Sequence, residues 1–306
     1  MSATITVTHR HGEHVAVEAG GVQLMPYVYK PDPVAFESRK PYAHPLRTLG
    51  GRPVSGYRPA DHRWHKGLQM TASHLSGQNF WGGHTYVPGD WYQELPDRIG
   101  SMRHDEFTAF TVERDRLSFT EGLTWVANGG EEWARERRDI VVHSVEPELG
   151  SWALDWGIEL TNIRDTALVF GSPTTAGREL AGYTGLHWRG PRDFGGGRVL
   201  GPGDLEGEAM MGTQAPWLAF VGEHDGVDAH STLVFAHAPE NDKAIHESHW
   251  FVRSGDQPMV AFSWAFFDEF DLPPGESFTY RYRIVVADGV WDRDRVARYL
   301  DGHGWS

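Results

Sequence analysis

The chain contains no cysteine. Disulfides, thiolate metal sites and thiol nucleophiles are therefore excluded from any account of it. Positive charge is also scarce. Asp and Glu number 42 against 28 Lys and Arg, a net charge of −14 with histidine neutral. That imbalance repels phosphate backbones and anionic lipid surfaces, so neither nucleic acid nor membrane is an expected partner. Long apolar runs are missing too. The stretch 67–89 has no Asp, Glu, Lys or Arg up to Gly89, but it is filled with Gly, Gln, Asn, Ser and His. A spanning helix needs roughly 20 mostly apolar residues. The opening MSATITVTHRHGEHVAV lacks the apolar centre of a secretory signal, which makes a cytoplasmic location the expectation.

What is present is a period of two. Leu117, Phe119, Leu123 and Trp125 alternate with Ser118, Thr120, Gly122 and Thr124. Trp152–Leu160 and Phe278–Val286 repeat the pattern, and Trp217–Val221, Thr232–Ala236 and Val260–Phe266 read as buried strands. Turns separate them at Asn128-Gly129-Gly130, Pro147–Gly150 and Pro273-Pro274-Gly275. One helix is expected, at the end. Asp292 caps it, Val296, Tyr299 and Leu300 give it an apolar side, and Gly302 stops it. The chain thus reads as all-β and mostly antiparallel, one domain over 1–306, with long loops at Pro31–Asp61 and Gly171–Gly203.

The chemistry-bearing residues cluster. Five of the 17 histidines (His44, His62, His65, His74 and His84) fall between residues 44 and 84, about twice an even share. The flanking alternation places a strand from His65 onward, with His65, Gly67, Gln69, Thr71 and Ser73 on its polar face and His62 in the loop before it. Imidazoles beside Asp61 suit proton transfer near neutrality. A divalent ion held by a pool of His44, His62, His65 and His74 is the alternative, although H-E-x-x-H and facial-triad spacings are absent. A polar turn is the third reading. Two further clusters, Gly171–Phe194 and His246–Arg253, add Arg178, Tyr183, His187, Arg189, Glu247 and Arg253. Trp125, Trp152 and Trp156 read as core, whereas Trp64, Trp81, Trp188 and Trp250 lie in polar neighbourhoods and read as ligand candidates.

The motifs KPYAHPLRTLGG, DHRWHKGLQMTASHLSGQNFWGG, GSPTTAGRELAGYTGLHWRGP and YRYRIVVADG together resemble the PmoA-like family of uncharacterised bacterial proteins, over nearly the whole chain. The "methane oxygenase" label of that family does not suit a chain without spanning helices. The resemblance implies a fold similar to the galactose-mutarotase-like supersandwich, a large antiparallel β-sandwich that binds carbohydrate. Such enzymes generally pair a His acid with a Glu or Asp base, and no motif here aligns those two residues.

The resulting expectation is a sugar isomerase, epimerase or lyase that needs no cofactor. A metal-dependent sugar enzyme and a non-catalytic carbohydrate-binding or sensing protein are the alternatives. His62 and His65 are the acid–base candidates, with Glu247 as a further base. Arg47, Lys66 and Arg189 hold anions or hydroxyls, and Trp81 is a stacking wall. Gln69, Tyr183, Trp250, Arg253, His44 and His74 complete the expected binding set. His44, Arg47, His62, His65, Arg189 and Arg253 are expected to converge on one cleft.

Overall fold

A computed structural model describes residues 2–305. It is built on two eight-stranded antiparallel sheets. The first runs in spatial order Ile5–Arg10, His14–Ala19, Val22–Val28, Tyr42–Ala43, Leu68–Thr71, Gly185–Arg189, Met259–Ser263, His249–Arg253. The second runs Arg198–Leu200, Trp217–Glu223, His230–His237, Ser277–Asp288, Ser151–Asn162, Glu132–Glu146, Leu117–Val126, Ser101–Val112. The expectation of an all-β antiparallel sandwich holds, and the alternating runs are indeed its long strands.

Alternation fixes what each face does. Leu68 and Met70, Leu186 and Trp188, Val260 and Phe262, and Trp250 and Val252 point between the sheets into one apolar core with Trp125, Trp152 and Trp156. Cutting any of these fully buried tryptophans to Ala would cost roughly 3–5 kcal/mol. The outer face of the second sheet is covered by the helix Arg293–Gly302, whose Val296 and Tyr299 pack on Trp217, Val234 and Val285. The cap forms as expected, Asp292 accepting from the Arg295 amide at 2.8 Å. The outer face of the first sheet is left to carry Gln69, His187, Ala261 and Phe251 in one cross-strand row and Arg189, Met259 and Arg253 in the next.

Four expectations need correction. Trp188 and Trp250 are core residues, because their positions in the pleat face the second sheet. Neither Pro31–Asp61 nor Gly171–Gly203 is one long loop, since the strands Tyr42–Ala43 and Gly185–Arg189 both belong to the first sheet. Val260–Phe266 ends as a strand at Ser263. The strand after the histidine cluster begins at Leu68, not His65, because Gly67 takes φ +59° and breaks the pleat. A side chain at that turn would drive its Cβ to 2.3 Å from the Ala43 carbonyl oxygen, so only glycine fits.

Candidate functional site

Phe251, Arg253 and Met259, on the outer face of the first sheet, form the floor of a cavity of about 610 Å³. Flanking segments supply its walls: Trp64, Trp81, Trp91, Tyr92 and Tyr183 are aromatic, and His62, His65, His84 and Arg178 are basic. Asp61, Asp256 and Gln257 stand with them.

The tryptophan walls are held by buried polar contacts. The Lys40 ammonium, fully buried, donates to the Trp81 carbonyl at 2.7 Å and to the Glu37 and Ser38 carbonyls at 3.4 Å. Burial, with Lys66 nearby, pushes it well below the usual lysine range. Asn79 Oδ1 accepts from the amides of Trp81 and Gly82. Gly83 then lets the chain pass against Trp64: an added Cβ would lie 2.3 Å from that indole.

The segment bearing the histidines is anchored from below. Glu37, only 1% exposed at its side chain, receives Arg58 Nη2 at 2.6 Å and Nε at 3.0 Å. Lys66 Nζ lies 3.0 Å from Oε2, the oxygen that also takes Arg58 Nε, as an ion pair too poorly aligned to be a hydrogen bond. Burial raises the Glu37 carboxyl, but Arg58 and Lys66 together hold it below its ordinary value. The same stretch is stitched by backbone bonds from His65 N to the His62 carbonyl and from Arg58 N to the His65 carbonyl.

Three imidazoles meet here, of which His62 and His65 line the cavity and His187 lies behind them. The ring of His65 lies 4.9 Å from His62, 5.0 Å from His187 and 5.3 Å from Trp81, and His187 lies 4.5 Å from Trp81. His65 and His187 are buried, and burial followed by neighbouring positive charge keeps both pKa values well below the usual histidine value. Both are neutral at pH 7. Arg189 Nη1 lies 3.4 Å from His65 Nδ1. A guanidinium only donates, so Nδ1 accepts and the ring proton of His65 sits on Nε2. His187 keeps both ring nitrogens unpartnered.

His62 stands nearer the mouth, with its side chain 30% exposed. Its Nδ1 faces Asp61 Oδ2 at 3.4 Å and Gln257 Nε2 at 3.3 Å. Asp61 in turn accepts from Arg192 at 2.8 Å and Gln257 at 3.1 Å. Burial lowers the His62 pKa and Asp61 works against that shift.

Of the expected residues, His62, His65, Trp81, Tyr183 and Arg253 line this cavity. Arg189 lies directly behind His65, and Gln69 is buried in the first sheet with its Nε2 donating to the Trp64 carbonyl. The others are elsewhere. His44 is bonded to Ser55 and stacked on Tyr57, and Arg47 reaches the Gln23 carbonyl. His74 bonds the Tyr86 carbonyl, Trp250 bonds the Ala215 carbonyl from the core, and Lys66 is spent on Glu37. Glu247, 73% exposed at its side chain, borders a separate cavity beside His246 and Ser248. The His44–His62–His65–His74 pool is therefore not assembled, and among the described residues no three His, Asp or Glu side chains converge as metal ligands. Arg178 and His187 stood out only as members of the Gly171–Phe194 cluster, with no role expected of them, and Trp91, Tyr92 and Gln257 carried no sequence signal.

Among the described residues no helix is long and apolar enough to cross a membrane. No curated protein matches the sequence. Among solved structures, the chain is similar to a galactose 1-epimerase from Lactobacillus acidophilus NCFM at 8% identity and TM-score 0.43, covering 94% of this chain and all of that one. It is also similar to a galactose mutarotase related enzyme from Lactobacillus acidophilus at 7% identity and TM-score 0.35, covering 92% and 97%. A methane-oxygenase label finds no support in these matches. Residues 14–301 match the model of a family of unknown function (DUF6807), and the chain belongs to that family.

Proposed function

We propose that the cavity on the first sheet binds a carbohydrate and moves a proton on it, as an isomerase, epimerase or lyase of sugars. The observation that carries this reading is a buried imidazole, His65, lining with His62 a cavity walled by aromatic rings, with His187 packed 5.0 Å from it. Aromatic faces stack on the C–H faces of a pyranose, and the imidazoles exchange protons with its hydroxyls or acidic C–H bonds.

The roles follow from the partners. His65 presents Nε2–H and acts as donor to a sugar oxygen, because Arg189 occupies the Nδ1 side. His62 is the base. Its Nδ1 faces Asp61 Oδ2, which stabilises the imidazolium once it forms, and Gln257 Nε2, which donates to the neutral ring. Neither role uses a metal ligand or a cofactor. A non-catalytic sugar-binding role is the second reading, favoured by one observation: the carboxylates of the cavity, Asp61 and Asp256, stand at its exposed side and not beside His65.

The test is proton NMR in D2O on a panel of aldoses, ketoses and sugar acids, following anomer interchange and loss of C–H signals. The reading predicts that at least one sugar is turned over. Saturable binding without any turnover across the panel replaces it with the second reading.

A further inference from the structure

The cavity lining carries two guanidinium groups, Arg178 and Arg253, and two carboxylates, Asp61 and Asp256, the latter pair at its exposed side; the cation without a close counter-ion lies deeper. Arg189 is fully buried, yet its Nε and Nη2 have no hydrogen-bond partner. The acidic group that most influences it, Asp61, is already bonded to Arg192. Burial pushes the Arg189 guanidinium down to about 10, the direction expected for a charge that lacks a close counter-ion. On the wall, Arg178 donates to the Tyr92 hydroxyl and lies over the Trp91 and Tyr92 rings at 5.1 and 4.9 Å. Among the described residues Arg178 makes no ion pair either. Arg253 donates to the Leu180 carbonyl at 2.9 Å, and the carboxylate nearest it is Glu208 at 3.9 Å, whose side chain is 70% exposed. Buried guanidinium groups are usually paired, because an isolated buried charge is costly.

We infer that the cavity selects carbohydrates that carry a carboxylate, with Arg178 as the wall residue that meets it and the buried charge of Arg189 behind His65. This deepens the carbohydrate reading and rests on it. Arg178 spends Nη1 on Tyr92 and leaves a two-donor edge that suits a carboxylate or a phosphate alike. A carboxylate is favoured over a phosphate on charge. A doubly charged tetrahedral group would bring more charge than the aromatic walls beside it can solvate. A neutral aldose would leave Arg178 and Arg189 without the charge they lack.

The experiment is titration of the whole protein, followed by tryptophan fluorescence because Trp64, Trp81 and Trp91 line the cavity. The ligands are glucuronate, galacturonate, glucose, galactose, glucose 6-phosphate and lactate. The inference predicts that one of the two uronates binds roughly 10- to 100-fold tighter than its neutral aldose, the range of a charge-assisted hydrogen-bond pair. It also predicts that Arg178→Gln, shown to be folded by circular dichroism, removes most of that preference. Equal or tighter binding of the aldose overturns the carboxylate and leaves the carbohydrate reading standing. Tighter binding of glucose 6-phosphate replaces the carboxylate with a phosphate. Binding of lactate with no response to any sugar overturns the carbohydrate reading and keeps the anion site. Silence with all six ligands refutes both.

Discussion

Replacing Glu37 by Gln removes the carboxylate that Arg58 and Lys66 share under the segment that carries His62 and His65. Arg58 would suffer little, since its side chain is 42% exposed and water can replace its partner. Lys66 is different. Its side chain is 2% exposed, and among the described residues Glu37 is its one ion-pair partner. Stranding a buried charge in this way costs roughly 3–5 kcal/mol, which for a chain of this size lowers the unfolding midpoint by roughly 5–8 °C. Thermal and urea unfolding followed by circular dichroism measure it. The reasoning demands a further result: Glu37→Gln with Lys66→Met must recover at least half of the loss, because the stranded charge is then gone. A loss below about 1 kcal/mol, or a double variant whose costs simply add, would refute the claim that this pair fixes the segment.

Acid should destabilise the fold before any carboxylate titrates. Burial, together with Arg47, brings His44 down to about 4, and burial, together with His249, brings His237 down to about 3. Both folded values lie below the unfolded one, so their contribution is complete above pH 6.5 and is lost as pH falls, by roughly 3 kcal/mol each at pH 4; a flat urea midpoint between pH 7 and 4.5 would contradict this. Gly83→Ala should push Trp64 off the wall, weakening sugar binding and costing roughly 1–3 kcal/mol of stability, and unchanged affinity and midpoint would show that Trp64 is not held as described. On a sugar that the wild type turns over, His62→Gln and His65→Gln should each slow the reaction by roughly 10²–10⁴-fold with normal folding, whereas full turnover by both returns the cluster to a polar turn.

The sandwich was legible because half-buried strands announce themselves by alternation: Leu117–Val126 and Ser277–Asp288 differ from their expected spans by only a residue or two at each end. The strand Gly185–Arg189 was not legible. All five residues are buried on both faces, so Arg189 and His187 sit where a period of two predicts nothing polar inside. Trp188 and Trp250 misled for the same reason, since polar sequence neighbours on a strand face the opposite way. Within the site, the local density of imidazoles pointed to His62 and His65. It pointed equally to His44 and His74, because chain proximity cannot distinguish residues separated by a glycine turn at Gly67 or drawn into another sheet. Glu247 was chosen as a carboxylate near histidines in sequence, and only the fold shows that it faces a different cavity.

The most direct measurement is a crystal structure from crystals soaked in the tightest-binding sugar of the panel. The account predicts the pyranose ring between Trp81 and the opposite aromatic wall, with sugar oxygens or an acidic C–H within reach of the His62 ring and His65 Nε2. A sugar seated in the cavity beside Glu247, or one in the Trp81 cavity that touches neither histidine, would contradict it.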